Sequence, residues 1–161
     1  MEERNLKLST KGRYAVMAMV DIAAHTAGKP IALSDVAERQ EISQSYLEQL
    51  FGKLRRGGLV KSVRGPGGGY LLAHAAADIR IADIILSVDE PIKVTRCSPG
   101  SPGCTSKNSR CLTHDLWQEL GNKIRLYLDS VSLEDVIDDR ILGSSGEMHR
   151  REKSKLIAAA Q

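Results

Sequence analysis

Residues 33–72 read LSDVAERQEISQSYLEQLFGKLRRGGLVKSVRGPGGGYLL, and three breaks inside this stretch decide the fold. Leu33 to Gln40 predicts a short helix with Val36 and Ala37 facing inward, and it stops at a tight connection through Glu41 and Ile42. Ser43 is placed to cap a third helix, because its hydroxyl can accept an orphan backbone N–H. Leu47, Leu50, Phe51 and Leu54 then repeat at i, i+3, i+4 and i+7. The opposite face carries Gln44, Ser45, Glu48 and Gln49. Gly57-Gly58 ends that helix. Leu59 to Arg64 and Tyr70 to Ala73 follow as two strands around the tip Gly65-Pro66-Gly67-Gly68-Gly69. Helix, tight turn, polar-faced helix and basic hairpin are the parts of a winged helix-turn-helix, whose second helix enters a DNA major groove. Helix three alone would read better as part of a small bundle with a solvated face. The wing tips the balance, since Lys53, Arg55 and Arg56 supply phosphate contacts and Arg64, with Gly65, Pro66 and Gly67, offers a cation to the minor groove.

The glycine run also has to be weighed as a phosphate-cradling loop. Gly65 and Gly67 match the start of G-x-G-x-x-G, but Tyr70 stands at the last glycine and a strand follows where a helix is required. No Gly-Lys-Ser/Thr appears either. The hairpin reading stands.

Upstream, Thr10 to Ala24 predicts a helix apolar around most of its circumference, through Tyr14, Met17, Ala18, Ile22, Val16, Met19, Val20 and Ala23, ended by the turn Gly28-Lys29-Pro30. Downstream, Ile81, Ile84, Ile85 and Val88 mark a fourth helix closed by Pro91. Arg96 to Arg110 lacks periodicity and is rich in Ser, Pro and Gly, so it reads as a loop. Thr113 is placed to cap a helix over residues 114 to 129, whose Leu116, Trp117, Leu120, Ile124, Tyr127 and Leu128 make a stripe too broad for one helix to bury. A homodimer interface is expected there. Ser132 with Asp135 resembles a capping box for a short helix through Val136 and Ile137, and from Gly143 the tail is polar and reads as disordered. The fold expected is mainly α with a small β-hairpin. Its divisions are a winged module over 1–90, a cysteine loop over 91–113, a dimerisation helix and short C-terminal helix over 114–142, and a tail over 143–161.

The chain has 161 residues, one domain's worth, and by area scaling would bury roughly 70% of its extended surface. Only six residues are aromatic, so Leu, Ile, Val and Ala must build the core. The longest apolar run, Ala15 to Val20, falls far short of the ~20 residues that cross a bilayer, and Glu2 and Glu3 open a sequence unlike a signal peptide. No membrane partner and a cytoplasmic location are expected. Net charge is only +3, but Gln49 to Ala77 holds five bases and no acid, whereas Asp129 to Arg140 holds five acids and one base. Such separation predicts distinct positive and negative surfaces.

Three cysteines in a reducing compartment are more often thiolates or metal ligands than disulfide partners. Their arrangement, Cys97-x6-Cys104-x6-Cys111-x2-His114, puts four soft or borderline ligands within 18 residues. Zinc is the commoner occupant of a Cys3His set, although structural zinc sites pair ligands at shorter spacing, and an iron–sulfur cluster accepts wider loops. A catalytic Cys–His couple ranks last, since Cys111 and His114 have no orienting acid beyond Asp115. No enzyme is expected. His25, His74 and His149 stand alone and read as structural. Rival readings are a small iron–sulfur electron or cluster carrier, against which the wing speaks, and a thiol-disulfide or zinc-dependent winged-helix regulator.

Four segments, Leu8-Ser-Thr-Lys-Gly-Arg-Tyr-Ala15, Ile42-Ser-Gln-Ser-Tyr-Leu-Glu-Gln-Leu-Phe51, Val63-Arg-Gly-Pro-Gly-Gly-Gly-Tyr-Leu-Leu72 and Cys111-Leu-Thr-His-Asp-Leu-Trp117, resemble the Rrf2 family of winged-helix regulators over roughly Leu6 to Ile141. The resemblance implies a homodimeric transcription factor on a double-stranded DNA operator, repressing or activating genes of iron–sulfur cluster biogenesis. It further implies a [2Fe-2S] cluster on Cys97, Cys104, Cys111 and His114, supplied by the iron–sulfur assembly machinery. Thr113 and Asp115 would then position the His114 ring by capping and outer-sphere contacts.

Overall fold

The computed structural model describes residues 9–90, 92, 94, 103–105 and 109–141. Cys97, Pro91, His149, the first eight residues and the tail from 142 lie outside the described residues. Among the described residues six helices and one antiparallel hairpin follow in the order α1 Thr10–His25, α2 Leu33–Gln40, α3 Gln44–Arg56, β1 Val60–Val63, β2 Gly69–Leu72, α4 Ile81–Ser87, α5 His114–Ser130 and α6 Leu133–Ile137. The mainly helical fold with a two-stranded wing is the one expected.

The predicted periodicities land on the core. Leu47, Leu50, Phe51 and Leu54 of α3 are buried, as are Ile81, Ile84 and Ile85 of α4 and the following Val88. Ala15, Ala18, Met19 and Ile22 bring α1 to the same cluster, and burial of each large side chain contributes roughly 1.5–3 kcal/mol. Met17, expected to face inward, is exposed. The wing pairs Val60 with Leu72 and Val63 with Gly69, and Phe51 packs edge-on against Tyr70 with ring centroids 4.9 Å apart. Ile31 adds a third rung, its N–H donating to Tyr70 O at 3.0 Å and its carbonyl accepting Tyr70 N–H at 2.8 Å. That close pass requires glycine at 69, because any Cβ there would collide with the Ile31 carbonyl.

Asp21, buried in α1, fastens α2. Arg39 Nε donates to both carboxylate oxygens at 3.2 and 3.0 Å, its terminal nitrogen donates at 2.6 Å, and Gln40 Nε2 donates at 2.7 Å. Burial pushes the Asp21 carboxyl up, but the hydrogen bonds of Arg39 and Gln40 and the charges of Arg39 and His25 together outweigh it and hold the group below the ordinary carboxylate range. His25 Nδ1 bonds to the Asp21 carbonyl oxygen at 2.8 Å, a structural role.

Two boundary expectations are corrected. The fourth helix ends at Ser87, not at Pro91, because Asp89 turns the chain into the left-handed region at φ 57°. Thr113 stands at the N-cap of α5 but makes no capping bond; its hydroxyl accepts Trp117 Nε1–H at 3.2 Å and lies 3.8 Å from Cys111 Sγ. By contrast the Ser132–Asp135 capping box forms in full. It starts α6, which returns to α1 and places fully buried Leu133 in the common core. Backbone bonds of 3.0 Å from Ile81 N–H to Val131 O and from Leu133 N–H to Ile79 O fix that return.

Candidate functional site

The turn of the helix-turn-helix is made by Glu41, left-handed at φ 54°, with Ile42 N–H donating to Ala37 O at 3.1 Å. It sets α3 so that Ser43, Gln44, Ser45, Glu48 and Gln49 all lie exposed on the side opposite the core. The Ser43 hydroxyl caps the helix by accepting Tyr46 N–H at 3.4 Å and lies 2.9 Å from Ser45 Oγ. Gln44 Nε2 donates to Glu48 Oε1 at 3.1 Å, so the one carboxylate on this face is held by its neighbour one turn earlier.

The basic residues divide. Arg55 donates to Ser62 Oγ at 3.4 Å, tying the end of α3 to β1, and Arg56 Nε donates to Gly52 O at 3.3 Å; both remain exposed. Lys53 is engaged by Asp89 at 2.7 Å. Arg64 is exposed where β1 ends, and Gly65, at φ 99°, opens a turn closed by Gly68 N–H donating to Gly65 O at 2.9 Å. Pro66 and Gly67 complete an exposed tip. Exposed arginines therefore flank an exposed polar helix face, an arrangement chemically suited to a nucleic-acid duplex.

The second cluster sits at the head of α5. Cys104 is placed by its N–H donating to Ser109 O at 3.0 Å, in a turn braced by Thr105 and Ser109 hydroxyls 2.8 Å apart. Cys104 Sγ then lies 2.9 Å from His114 Nδ1. Cys111 precedes the ring by one turn, with His114 N–H donating to Cys111 O at 3.1 Å. Both thiols are half-buried, and neither is joined in a disulfide. Among the described residues no three His, Cys, Asp or Glu side chains are gathered around one metal position. Of the predicted ligands the structure brings together Cys104 and His114, sets Cys111 alongside in sequence, and leaves Cys97 outside the described residues.

A residue the sequence reading missed completes this pair. Gln118 Oε1 stands 3.0 Å from His114 Nε2. With the amide oxygen accepting, the tautomer that fits is the one protonated at Nε2, which leaves the Nδ1 lone pair for Cys104 or for a metal. Thr113 and Asp115, expected to orient the ring, are engaged elsewhere: Thr113 with Trp117, and Asp115 with Arg110 at 3.3 Å. The i, i+4 spacing of His114 and Gln118 was the available signal.

No residue of α5 is buried. Leu116 is 61% exposed, Trp117 and Tyr127 are exposed, and Leu120, Ile124 and Leu128 are half-buried, Leu128 against the core. Leu126, absent from the predicted stripe, is 62% exposed. Among the described residues no helix is long and apolar enough to cross a membrane.

Fold and reading face define a winged-helix transcriptional regulator of helix-turn-helix type. The chain belongs to the Rrf2 family, whose model, described as an iron-dependent transcriptional regulator, matches residues 8–139. It is 52% identical over 135 residues to the HTH-type transcriptional regulator IscR of Photorhabdus laumondii, covering 84% of this chain and 81% of that one. It is 44% identical over 157 residues to IscR of Salmonella agona, covering 97% and 94%. Among solved structures, T. potens IscR is similar with TM-score 0.68 and 40% identity, covering 84% of this chain and 89% of that one. CymR, the global cysteine regulator of B. subtilis, is similar with TM-score 0.69 and 36% identity, covering 83% and 98%.

Proposed function

We propose that this chain is a homodimeric regulator that carries a [2Fe-2S] cluster on Cys97, Cys104, Cys111 and His114, binds an operator in double-stranded DNA, and controls genes of iron–sulfur cluster biogenesis in the cytoplasm. The observation that carries the reading is the approach of Cys104 Sγ and His114 Nδ1 to 2.9 Å at the start of α5, with the far ring nitrogen held by Gln118. Thiol and imidazole donors fit iron–sulfur ligation, and a histidine ligand whose other N–H is already bonded is oriented for it. When bound there, the cluster supplies charge and a multi-point cross-link whose presence follows iron and sulfide supply.

The protein's own residues do the rest. Cys104 and His114 tie the loop over 91–113 to the first turn of α5, so ligand occupancy sets the order of that junction. The stripe Leu116, Trp117, Leu120, Ile124, Tyr127 and Leu128, left largely uncovered in one chain, is the surface a second copy would cover. A two-fold pair would place its two α3 helices on half-sites about one DNA turn apart. Ser43, Gln44, Ser45, Glu48 and Gln49 read bases, Arg55 and Arg56 fix the register on the backbone with Lys53 when it parts from Asp89, and the tip Gly65-Pro66-Gly67 brings Arg64 to the minor groove. The cluster is delivered by the iron–sulfur assembly machinery.

A thiol-disulfide regulator is the second reading, favoured by the two half-buried thiols at Cys104 and Cys111 and by the structural likeness to the cysteine regulator CymR. One measurement separates them. Protein purified without oxygen is expected to show a visible charge-transfer band with two irons per chain in [2Fe-2S] stoichiometry. Each of Cys97→Ala, Cys104→Ala and Cys111→Ala is expected to fold colourless. A colourless wild-type chain containing zinc or no metal would overturn the cluster reading.

A further inference from the structure

Glu90 stands just before the cysteine-bearing segment, yet its carboxylate is used at the start of α1, 78 to 81 residues earlier in the chain. Oε1 accepts the Ser9 N–H at 2.7 Å and Oε2 accepts the Gly12 N–H at 2.6 Å. These are orphan donors at the start of α1, and the anion lies at that helix's positive end. The seat is specific, because a Cβ at residue 12 would collide with the same carboxylate oxygen; glycine there lets Glu90 dock. The first turn of α1 contains no acid of its own.

The preceding residue reaches the other way. Asp89 accepts a 2.7 Å bond from Lys53 Nζ, and Lys53 belongs to α3, the helix that presents Gln44, Ser45, Glu48 and Gln49. Val88, fully buried between core helices, anchors the point from which both carboxylates depart. On the other side, Val94 comes within van der Waals range of a Cβ at Gly121 of α5. Cys97 follows Glu90 by seven residues, a reach of at most about 25 Å of extended chain.

We propose that Asp89 and Glu90 form the joint through which the state of the cysteine segment reaches the DNA-reading helix, an inference that rests on reading this chain as a cluster-sensing regulator. With both carboxylates docked, α1, α3 and the root of the segment share one frame. When Glu90 leaves, α1 loses two first-turn bonds and only the Lys53 arm still ties the root to α3. The Glu90 bonds are charge-assisted and dominate; the Lys53–Asp89 pair, with Asp89 74% exposed, contributes less and sets direction. An equilibrium can be shifted only by contacts that differ between its two states, and these are contacts that reorganisation of the segment can make or break.

The test compares wild type, Glu90→Gln and Gly12→Ala, each cluster-free and reconstituted with iron and sulfide. Affinity is measured for a duplex selected from a random pool by the wild-type chain, and amide exchange is followed in the first turn of α1. Wild type is expected to distinguish the two forms by on the order of tenfold in affinity. Both variants are expected to take up the same iron, to bring that ratio below about threefold, and to lose the loading-dependent exchange difference at Gly12 or its replacement. Undiminished discrimination in both variants, beside a discriminating wild type, would overturn the joint alone. A wild type that binds DNA equally in both forms would overturn the sensing reading and the joint with it. Asp89→Asn, altering an exposed side chain, is the further variant should Glu90→Gln not fold, and is expected to reduce the ratio in part.

Discussion

Gln118 Oε1 and His114 Nε2 meet at 3.0 Å across one turn of α5, while Nδ1 of the same ring stands 2.9 Å from Cys104 Sγ. Gln118→Leu keeps the helix, since its side chain is exposed, but frees the ring to rotate and to exchange tautomers. Loss of such an outer partner typically costs about 10–100-fold in metal affinity. Gln118→Leu should therefore release iron to a chelator faster by a factor in that range, measured as decay of the visible band. Equal decay in variant and wild type would remove Gln118 from the site.

His114 itself should respond in a different way. A thiolate in its place adds about one negative charge and holds iron more firmly, so His114→Cys should keep a cluster with a lower reduction potential and slower loss. His114→Ala should lose it readily. Potentiometry together with chelator kinetics checks both, and parental values in both variants would show that His114 is no ligand.

Glu48 is the acid on an otherwise neutral reading face and is bridged by Gln44. Phosphate repels it, whereas a cytosine N4 amine can donate to it, so it selects more than it attracts. Glu48→Ala should raise affinity for poor sites while erasing a cytosine preference worth about 1–3 kcal/mol, as read from selected binding sites. Gln44→Ala should blur the same preference less, because it releases the carboxylate without removing it. An unchanged consensus for Glu48→Ala would disprove the assignment.

Arg64 stands exposed at the root of a tip whose Gly65 has φ 99°. Inserted in a minor groove it would gain most where A·T-rich sequence narrows that groove. Arg64→Ala should cost about 1–3 kcal/mol on such sites and reduce the salt slope of binding by about one. Titrations across salt concentration measure both, and wild-type values would reduce the wing to a structural hairpin.

The elements that were legible in the sequence are those whose causes are local. The i, i+3, i+4, i+7 pattern of Leu47, Leu50, Phe51 and Leu54 needs no knowledge of the rest of the chain, and neither do the Ser43 cap or the Ser132–Asp135 box. Cys104 and His114 were legible as members of a four-ligand set, because that set is spaced within one short stretch, whereas their mutual approach to 2.9 Å was not. What escaped depends on partners distant in sequence. Glu90 caps a helix 78 to 81 residues away, Arg39 reaches Asp21 across 18, and Leu133 rejoins a core built mostly before residue 89. Thr113 was misread for a local reason: an indole N–H one turn later competes for the hydroxyl that a cap would use.

Asp21 offers the last prediction, because its effect has a defined sign with pH. Its carboxyl is held below the ordinary range in the folded chain, so it stabilises the fold fully above the unfolded-state value near 3.9, and that stabilisation disappears as pH falls through the lower folded value. Asp89, held down by Lys53, and Asp135, held down by the Ser132 backbone N–H and hydroxyl, contribute slopes of the same sign. Subtracting a variant isolates Asp21. Asp21→Asn turns an amide N–H toward the donors of Arg39 and Gln40 and leaves Arg39 without its charge partner. Breaking a fully buried pair costs about 3–5 kcal/mol, and the side chain of Arg39, 34% exposed, recovers part of that from water, so about 2–3 kcal/mol is expected at pH 7. Urea unfolding at pH 7 and at pH 3 should show the difference between wild type and Asp21→Asn shrinking at the lower pH. A difference that stays constant across this range would mean that α2 is held on α1 by packing, with the Asp21 charge contributing nothing.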